Sequence, residues 1–270
     1  MDVSEGQVSE AVRVERQNHV MIVTINRPEA RNAVNLSVHM GIGEALEEAE
    51  ADVDIRAIIL TGAGDQAFCA GADLKALARG EPMRPENPKH VAWGFAGYVS
   101  HAISKPTIAA VNGVALGGGT ELTLASDMAI AADTATFGLP EVKRGIFAGA
   151  GGAFRLARQV APKIAMEILL TGDPITAQRA LELGLVNAVV PREQLLDKSL
   201  ELANRIAANA PLSVRASKRI AVGIQDGRIA SEADLWALSA AEGAALMQSD
   251  DAKEGPRAFA EKRAPRWSGR

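Results

Sequence analysis

Two stretches, RAIILTG (56–62) and TIAAVNG (107–113), constrain this chain more than any other feature. Each is a short apolar run without polar alternation, rich in β-branched residues or alanine and closed by glycine. That is the pattern of a strand buried on both faces. Such a strand needs a covering layer on each side. Just before the first run lies Leu36–Asp52, with Leu36, Met40, Gly43, Leu46 and Ala49 at helical spacing. After the second come the apolar helix ELTLAS and the short strands DMAIAAD and ATFGLP. Strands alternating with helices predict an α/β fold whose ligand sites lie at strand-to-helix turns.

The rest of the chain fits around that core. Residues 1–11 read as a flexible lead-in, and VRVERQNHVMIVTIN as a strand pair ending at the Arg27-Pro28 turn. A loop, GAGDQAFCAGAD, leads to a short helix from Leu74, and EPMRPENPK reads as a mobile surface loop. Beyond Gly149 the pattern is helical apart from LVNAVVP, a last strand. The helices expected there are Pro191–Asn209, Pro211–Gln225, Ser231–Met247 and Asp250–Lys262.

With 47% hydrophobic and 23% charged residues, the 270-residue chain can bury a sizeable core. A net charge of −4 argues against a broad nucleic-acid footprint. The acidic, polar start and the lack of an 18-residue apolar run predict neither signal peptide nor membrane span. Cys69 is the only cysteine, which excludes an intramolecular disulfide and fits a reducing, cytoplasmic setting. His19, His39, His90 and His101 lack metal-ligand spacing, so no metal is expected, and no G-x-S-x-G elbow occurs.

GVALGGGT (113–120) meets seven of the eight positions of the phosphate-binding pattern G-x-x-x-x-G-K-[ST]; Gly119 stands where the lysine belongs. Without that cation, nucleotide hydrolysis has little support. Gly117, Gly118 and Gly119 still join a strand to a helix and bare the backbone to a ligand. The unpaired N–H groups at the helix start can hold a phosphate, or an oxygen on which negative charge develops. Tight backbone packing alone would also call for glycine. Glu121 stands just inside this helix, and Glu141 follows in FGLPE. Each could merely favour a helix start. Both nevertheless lie in apolar, glycine-rich segments, where an unpaired carboxylate is costly.

FCAGADLK, KPTIAAVNGVALGGGTELTLASD and FGLPEVKRGIFAGAGGAFRL resemble the crotonase (enoyl-CoA hydratase/isomerase) superfamily, over about Val12 to Arg270. The resemblance implies a spiral of ββα units over 12–200 with the active site, and a helical C-terminal oligomerisation region over 201–270. It implies homotrimers or dimers of trimers. Ala70 and Gly118 would supply the oxyanion-hole N–H groups, and Glu121 and Glu141 would be the catalytic pair of the hydratase branch. Arg27, Ala30, Ala70, Gly71, Ala72, Asp73 and Gly118 would lie along the substrate's coenzyme A moiety. Phe259 and Lys262 would reach the coenzyme A of a neighbouring subunit, and Leu74, Leu116 and Gly149 would line the acyl pocket. The implied activity is reversible syn hydration of a trans-2-enoyl-CoA in acyl-CoA metabolism, with coenzyme A entering only as part of the substrate. A specific 3-hydroxyacyl-CoA dehydratase, carnitinyl-CoA dehydratase foremost, is the alternative; a non-catalytic CoA- or RNA-binding homologue is a further one. Ala148 and Ala153-Phe154 depart from the proline and Thr-Gln of the hydratases compared, which bears on pocket shape.

Overall fold

The computed structural model describes residues 11–270. The strands are β1 (Val12–Gln17), β2 (Val20–Ile25), β3 (Ala57–Gly62), β4 (Ala67–Cys69), β5 (Thr107–Val111) and β6 (Val114–Leu116). They continue as β7 (Met128–Ala132), β8 (Thr136–Gly138), β9 (Ile175–Thr176), β10 (Ala188–Val190), β11 (Ile224–Gln225) and β12 (Arg228–Ile229). The helices are α1 (Leu36–Ala51), α2 (Leu74–Ala78), α3 (Pro88–Ala92), α4 (Gly118–Ala125), α5 (Gly152–Gln159) and α6 (Pro162–Thr171). After them come α7 (Ala177–Glu182), α8 (Leu195–Ala207), α9 (Pro211–Val222), α10 (Ala233–Leu246) and α11 (Asp250–Ala260).

One sheet runs β1-β2-β3-β5-β7-β10, parallel except for the β1–β2 hairpin; a second runs β4-β6-β8-β9. The chain steps from the first sheet to the second three times, as β3 to β4, β5 to β6 and β7 to β8. After each step it re-enters the first sheet through a largely helical connection. This is the spiral of ββα turns that the resemblance implied.

The two apolar runs behave as their composition requires. In β3, Ile58 and Leu60 face the core shared with α1 and the second sheet, while Ala57 and Ile59 face the layer closed by Leu195, Leu200 and Ala203 of α8. Strict alternation with both faces buried is a period of two without a polar face. Helix α8 is continuous across the 200/201 division expected from the resemblance.

Several expectations shift. Residues 1–10 of the expected lead-in lie outside the described residues; Ala11 is buried and its carbonyl accepts from Asn26 N–H at 2.8 Å. On α1, Leu36 and Met40 are only half-buried, and the inner face is Val38, Ile42, Ala45, Leu46 and Ala49. Pro88 and Lys89, assigned to a loop, begin α3, where Asn87 accepts from Lys89 N–H. The helical reading past Gly149 missed β9, and it ran a helix to Gln225 where α9 stops at Val222. Gly223, at φ 79°, ends α9 in the left-handed region and the β11–β12 hairpin follows.

Helix α11 packs on the 3-10 turn Pro140–Arg144, backbone against backbone: a Cβ on Gly255 would lie 1.9 Å from the Arg144 carbonyl oxygen. The tail beyond α11 doubles back along it. Asp250 N–H donates to Arg270 O at 2.6 Å, Asp251 accepts from Ser268 and Gly269, and Arg263 pairs with Glu254.

Candidate active site

Three strand-to-helix connections converge. The first is the 3-10 turn Pro28–Ala30 with the residues after it. Asn32, fully buried at φ 55°, accepts from Arg27 N–H and donates to the carbonyls of Ala63 and Ala67. It thereby fastens this turn to the entry of β4. Arg27 donates to Ala33 O at 2.6 Å and pairs with Asp73 at 2.9 Å. Asp73 also caps α2 by accepting from Lys75 and Ala76. Burial raises the Asp73 carboxyl, but the donors of Ala76, Arg27 and Lys75 outweigh it and hold it below the usual carboxylate range. Arg27 and Asp73 therefore brace each other.

The second connection is CAGAD. Here the expected donor Ala70 fails: its N–H is spent on Arg31 O at 3.1 Å. Two residues on, the backbone bonds Val34 N–H to Gly71 O and Asp73 N–H to Val34 O form a parallel bridge opposite Ala72. A bridge made through its two neighbours turns the N–H of Ala72 itself to the other side. Ala72 is exposed, and its N–H has no partner among the described residues. Gly71, at φ 91°, brings this loop against the third connection: a Cβ there would lie 3.4 Å from Gly118 N and 3.3 Å from Leu116 O.

That third connection is the glycine stretch. Gly117 has φ 56° and ψ −121°, a conformation reserved in practice for glycine, and α4 starts at Gly118 with its first N–H unpaired. A Cβ on Gly118 would meet the Phe95 ring at 2.3 Å, and one on Gly119 the Cys69 carbonyl oxygen at 2.0 Å. The missing lysine thus has a steric cause. Position 119 presses on the β4 backbone and has no room for any side chain.

Glu121, one turn into α4, is 3% exposed and accepts from Gly152 N–H, at the start of α5, at 2.9 Å. Gly152 is required there, since its Cβ would lie 2.9 Å from both Glu121 Oε1 and Ala148 Cβ. Glu141 sits in the Pro140–Arg144 turn with Oε1 beside Gly117; its Oε2 is buried without a hydrogen-bond partner among the described residues. Burial, then the charge of Glu141, pushes Glu121 up to about 8, against the N–H groups of Gly152 and Ala150. Burial pushes Glu141 up to about 7. A pair so placed can hold and pass a proton near neutral pH.

The remaining candidates are spread wider. Leu116 and Gly149 are half-buried, while Leu74 stands 51% exposed on α2. Ala30 lies in the first turn. Phe259 is 51% exposed under the Arg144 guanidinium, 4.0 Å from its ring centroid, and Lys262 is exposed. Phe95, Asn32 and Arg155 belong to this region and escaped the sequence reading. Phe95 lies in a segment without periodicity, where Gly94, Ala96 and Gly97 all have positive φ. Of the departures, Ala148 is buried against Glu121's glycine, and Phe154 packs edge-on to Trp236 at 5.0 Å.

A cavity of about 590 Å³ lies on the far side of Arg155, which with Glu232 helps to line it, between the far end of α4, α5 and α9. Among the described residues, no helix is long and apolar enough to cross a membrane, and no group of three or more His, Cys, Asp or Glu could hold a metal ion.

Known proteins resemble this chain over nearly their full length. The family profile for enoyl-CoA hydratase/isomerase matches residues 15–270. An enoyl-CoA hydratase of Mycobacterium tuberculosis is 43% identical over 95% of this chain and 96% of its own. A carnitinyl-CoA dehydratase of Proteus mirabilis is 42% identical over 97% of this chain and all of its own. The crystal structure of a carnitinyl-CoA hydratase from Mycobacterium avium is 56% identical and superposes with a TM-score of 0.94, covering 97% of this chain and 100% of that one. Similarity of this extent, in sequence and in fold together, makes the chain a member of the enoyl-CoA hydratase/isomerase family.

Proposed function

We propose that this protein is an enoyl-CoA hydratase, adding water reversibly and syn to a trans-2-enoyl-CoA to give the 3-hydroxyacyl-CoA. The observation that carries the reading is the glutamate pair. Two carboxyls, Glu121 buried and Glu141 half-buried with its Oε2 shielded, both raised into the neutral range, stand beside a helix start whose N–H has no partner among the described residues. Hydration puts negative charge on the thioester oxygen as water attacks Cβ. The N–H groups of Gly118 and Ala72, the latter replacing Ala70, receive that oxygen; such a donor is worth about 10²–10³ in rate. The reactive form is the singly protonated pair with its proton on Glu141: Glu121, whose ionised form the Gly152 N–H favours, takes the proton from water as the oxygen bonds to Cβ. Glu141, whose Oε2 has no donor to stabilise a charge, delivers a proton to Cα. No cofactor enters beyond the coenzyme A of the substrate, which runs along Arg27, Ala30 and Gly71–Asp73. Residues 201–270 serve assembly as a homotrimer or dimer of trimers, and the single buried thiol suits the reducing cytoplasm.

Carnitinyl-CoA dehydration is a second reading, favoured by the superposition on the Mycobacterium avium protein. A panel of enoyl-CoA and hydroxyacyl-CoA thioesters, followed by gain or loss of the conjugated double bond, tests both. Crotonyl-CoA hydration supports the first reading; turnover of carnitinyl-CoA alone supports the second, and inertness toward the whole panel would refute catalysis.

A further inference from the structure

Behind Glu121 lies a buried charge that the hydration chemistry does not use. Arg155, one turn into α5, is 5% exposed. Its Nε donates to Glu232 Oε1 at 2.9 Å, and its Nη2 donates to Glu232 Oε2 at 2.7 Å and to Val99 O at 2.6 Å. Trp236 Nε1 donates to the same carboxylate at 3.2 Å, and the guanidinium lies 5.5 Å from the Trp236 ring and 5.7 Å from the Phe154 ring. The third nitrogen, Nη1, is buried without a hydrogen-bond partner among the described residues and lies beside Gly151; a Cβ there would lie 3.2 Å from it. Gly151 immediately precedes Gly152, whose N–H holds Glu121.

We propose that Arg155 is a positioning residue for Glu121, holding the 150–152 turn in place and favouring the carboxylate form, with Glu232 from the C-terminal helices as the counter-charge that sets how strongly. The proposal rests on the reading of Glu121 as the base. The ionisable groups facing Glu121 are Glu141 from the 3-10 turn, Arg155 from α5 and the thiol of Cys69 on β4. Burial pushes that thiol up to about 12, so it stays neutral. Arg155 is therefore the one cation among them. A buried ion pair replaceable by apolar packing would be a poor source of stability. Here the pair has a second use, because Arg155 faces Glu121 while Glu232 acts on it through Arg155, as the counter-charge.

The test follows the Glu121 carboxyl directly, by ¹³C NMR of glutamate-labelled protein, with the resonance assigned by its loss in Glu121→Gln. Arg155→Met removes the cation and should raise the titration midpoint. Glu232→Gln frees the cation from its counter-charge and should lower it. Each change should be roughly 0.5–1 pH unit, below the ~1–3 of an opposite charge in direct contact. Arg155→Lys keeps the charge and should restore most of the midpoint. A merely structural pair would lower the melting temperature and leave the midpoints together, which would overturn the proposal. If Arg155→Met fails to fold, Glu232→Gln decides alone, since an unmoved or raised midpoint refutes. The titration uses no substrate. Opposed midpoints without crotonyl-CoA hydration would discard the hydratase reading and uphold the electrostatic coupling.

Discussion

Glu121→Gln should stabilise the fold above neutral pH while destroying its activity, and the size of the gain should depend on pH. The folded carboxyl titrates near 8 instead of the ordinary 4.5, mainly through burial and secondarily through Glu141. It therefore keeps its proton after the unfolded chain has released one, and stability falls as pH climbs from about 4.5 to about 8. That interval of roughly 3.5 pH units corresponds to about 5 kcal/mol above pH 8 at 1.36 kcal/mol per unit. The Gln amide still accepts from Gly152 N–H, but it brings two donors into a pocket that offered a carboxylate only donors. A net gain on the order of 2–3 kcal/mol at pH 8.5, turning into a loss of about the same size at pH 4.5, allows for that mismatch. Urea unfolding of both proteins at fixed concentration across this range measures the difference. Parallel stability curves, within about 0.5 kcal/mol at every pH, would refute the reasoning.

Glu121→Gln and Glu141→Gln should each lower crotonyl-CoA hydration by roughly 10²–10⁴, the usual worth of a placed acid or base; near-wild-type rates in both would remove the assigned roles. Gly118→Ala should lose both binding and rate because its Cβ runs into Phe95, and adding Phe95→Ala should restore part of the loss; no rescue in steady-state kinetics would mean the ring is not the obstacle. Gly119→Lys restores the full phosphate-binding pattern, yet its side chain has no room beside the Cys69 carbonyl. It should unfold at lower temperature and bind no ATP or GTP, as calorimetry would show. If Phe259 and Lys262 reach the coenzyme A moiety, Phe259→Ala and Lys262→Ala should raise KM for the thioester more than they lower kcat, as loss of remote binding does; unchanged KM would remove them from the coenzyme A site.

The buried strands were legible because burial on both faces leaves a compositional mark: Ile58 through Leu60 admit no polar residue. The glycines and glutamates were legible for a similar reason, since each stands where another residue type would be strained or costly. What stayed hidden depends on contacts distant in sequence. Nothing in CAGAD tells that Arg31 claims the N–H of Ala70 and leaves that of Ala72 free. Residues 93–101 have no period, because their order comes from stacking: the Trp93 ring lies between His90 at 4.4 Å and His101 at 5.1 Å. The Arg155–Glu232 pair joins residues 77 apart in sequence, beyond any local pattern.

The doubled-back tail has a practical consequence. Because residues 263–270 return along α11, Arg270 emerges beside Asp250, at the start of that helix. A purification tag or fluorophore fused after Arg270 would leave from this spot, next to Asp251, whose carboxylate anchors both Ser268 and Gly269. Its leash competes for the bonds that clasp the strap shut. Behind that strap, Gly255 rests on the carbonyl of Arg144, three residues from Glu141. Labelling after Arg270 is thus a mechanical intervention near Glu141, and its influence on turnover can be read by comparing tagged and cleaved protein.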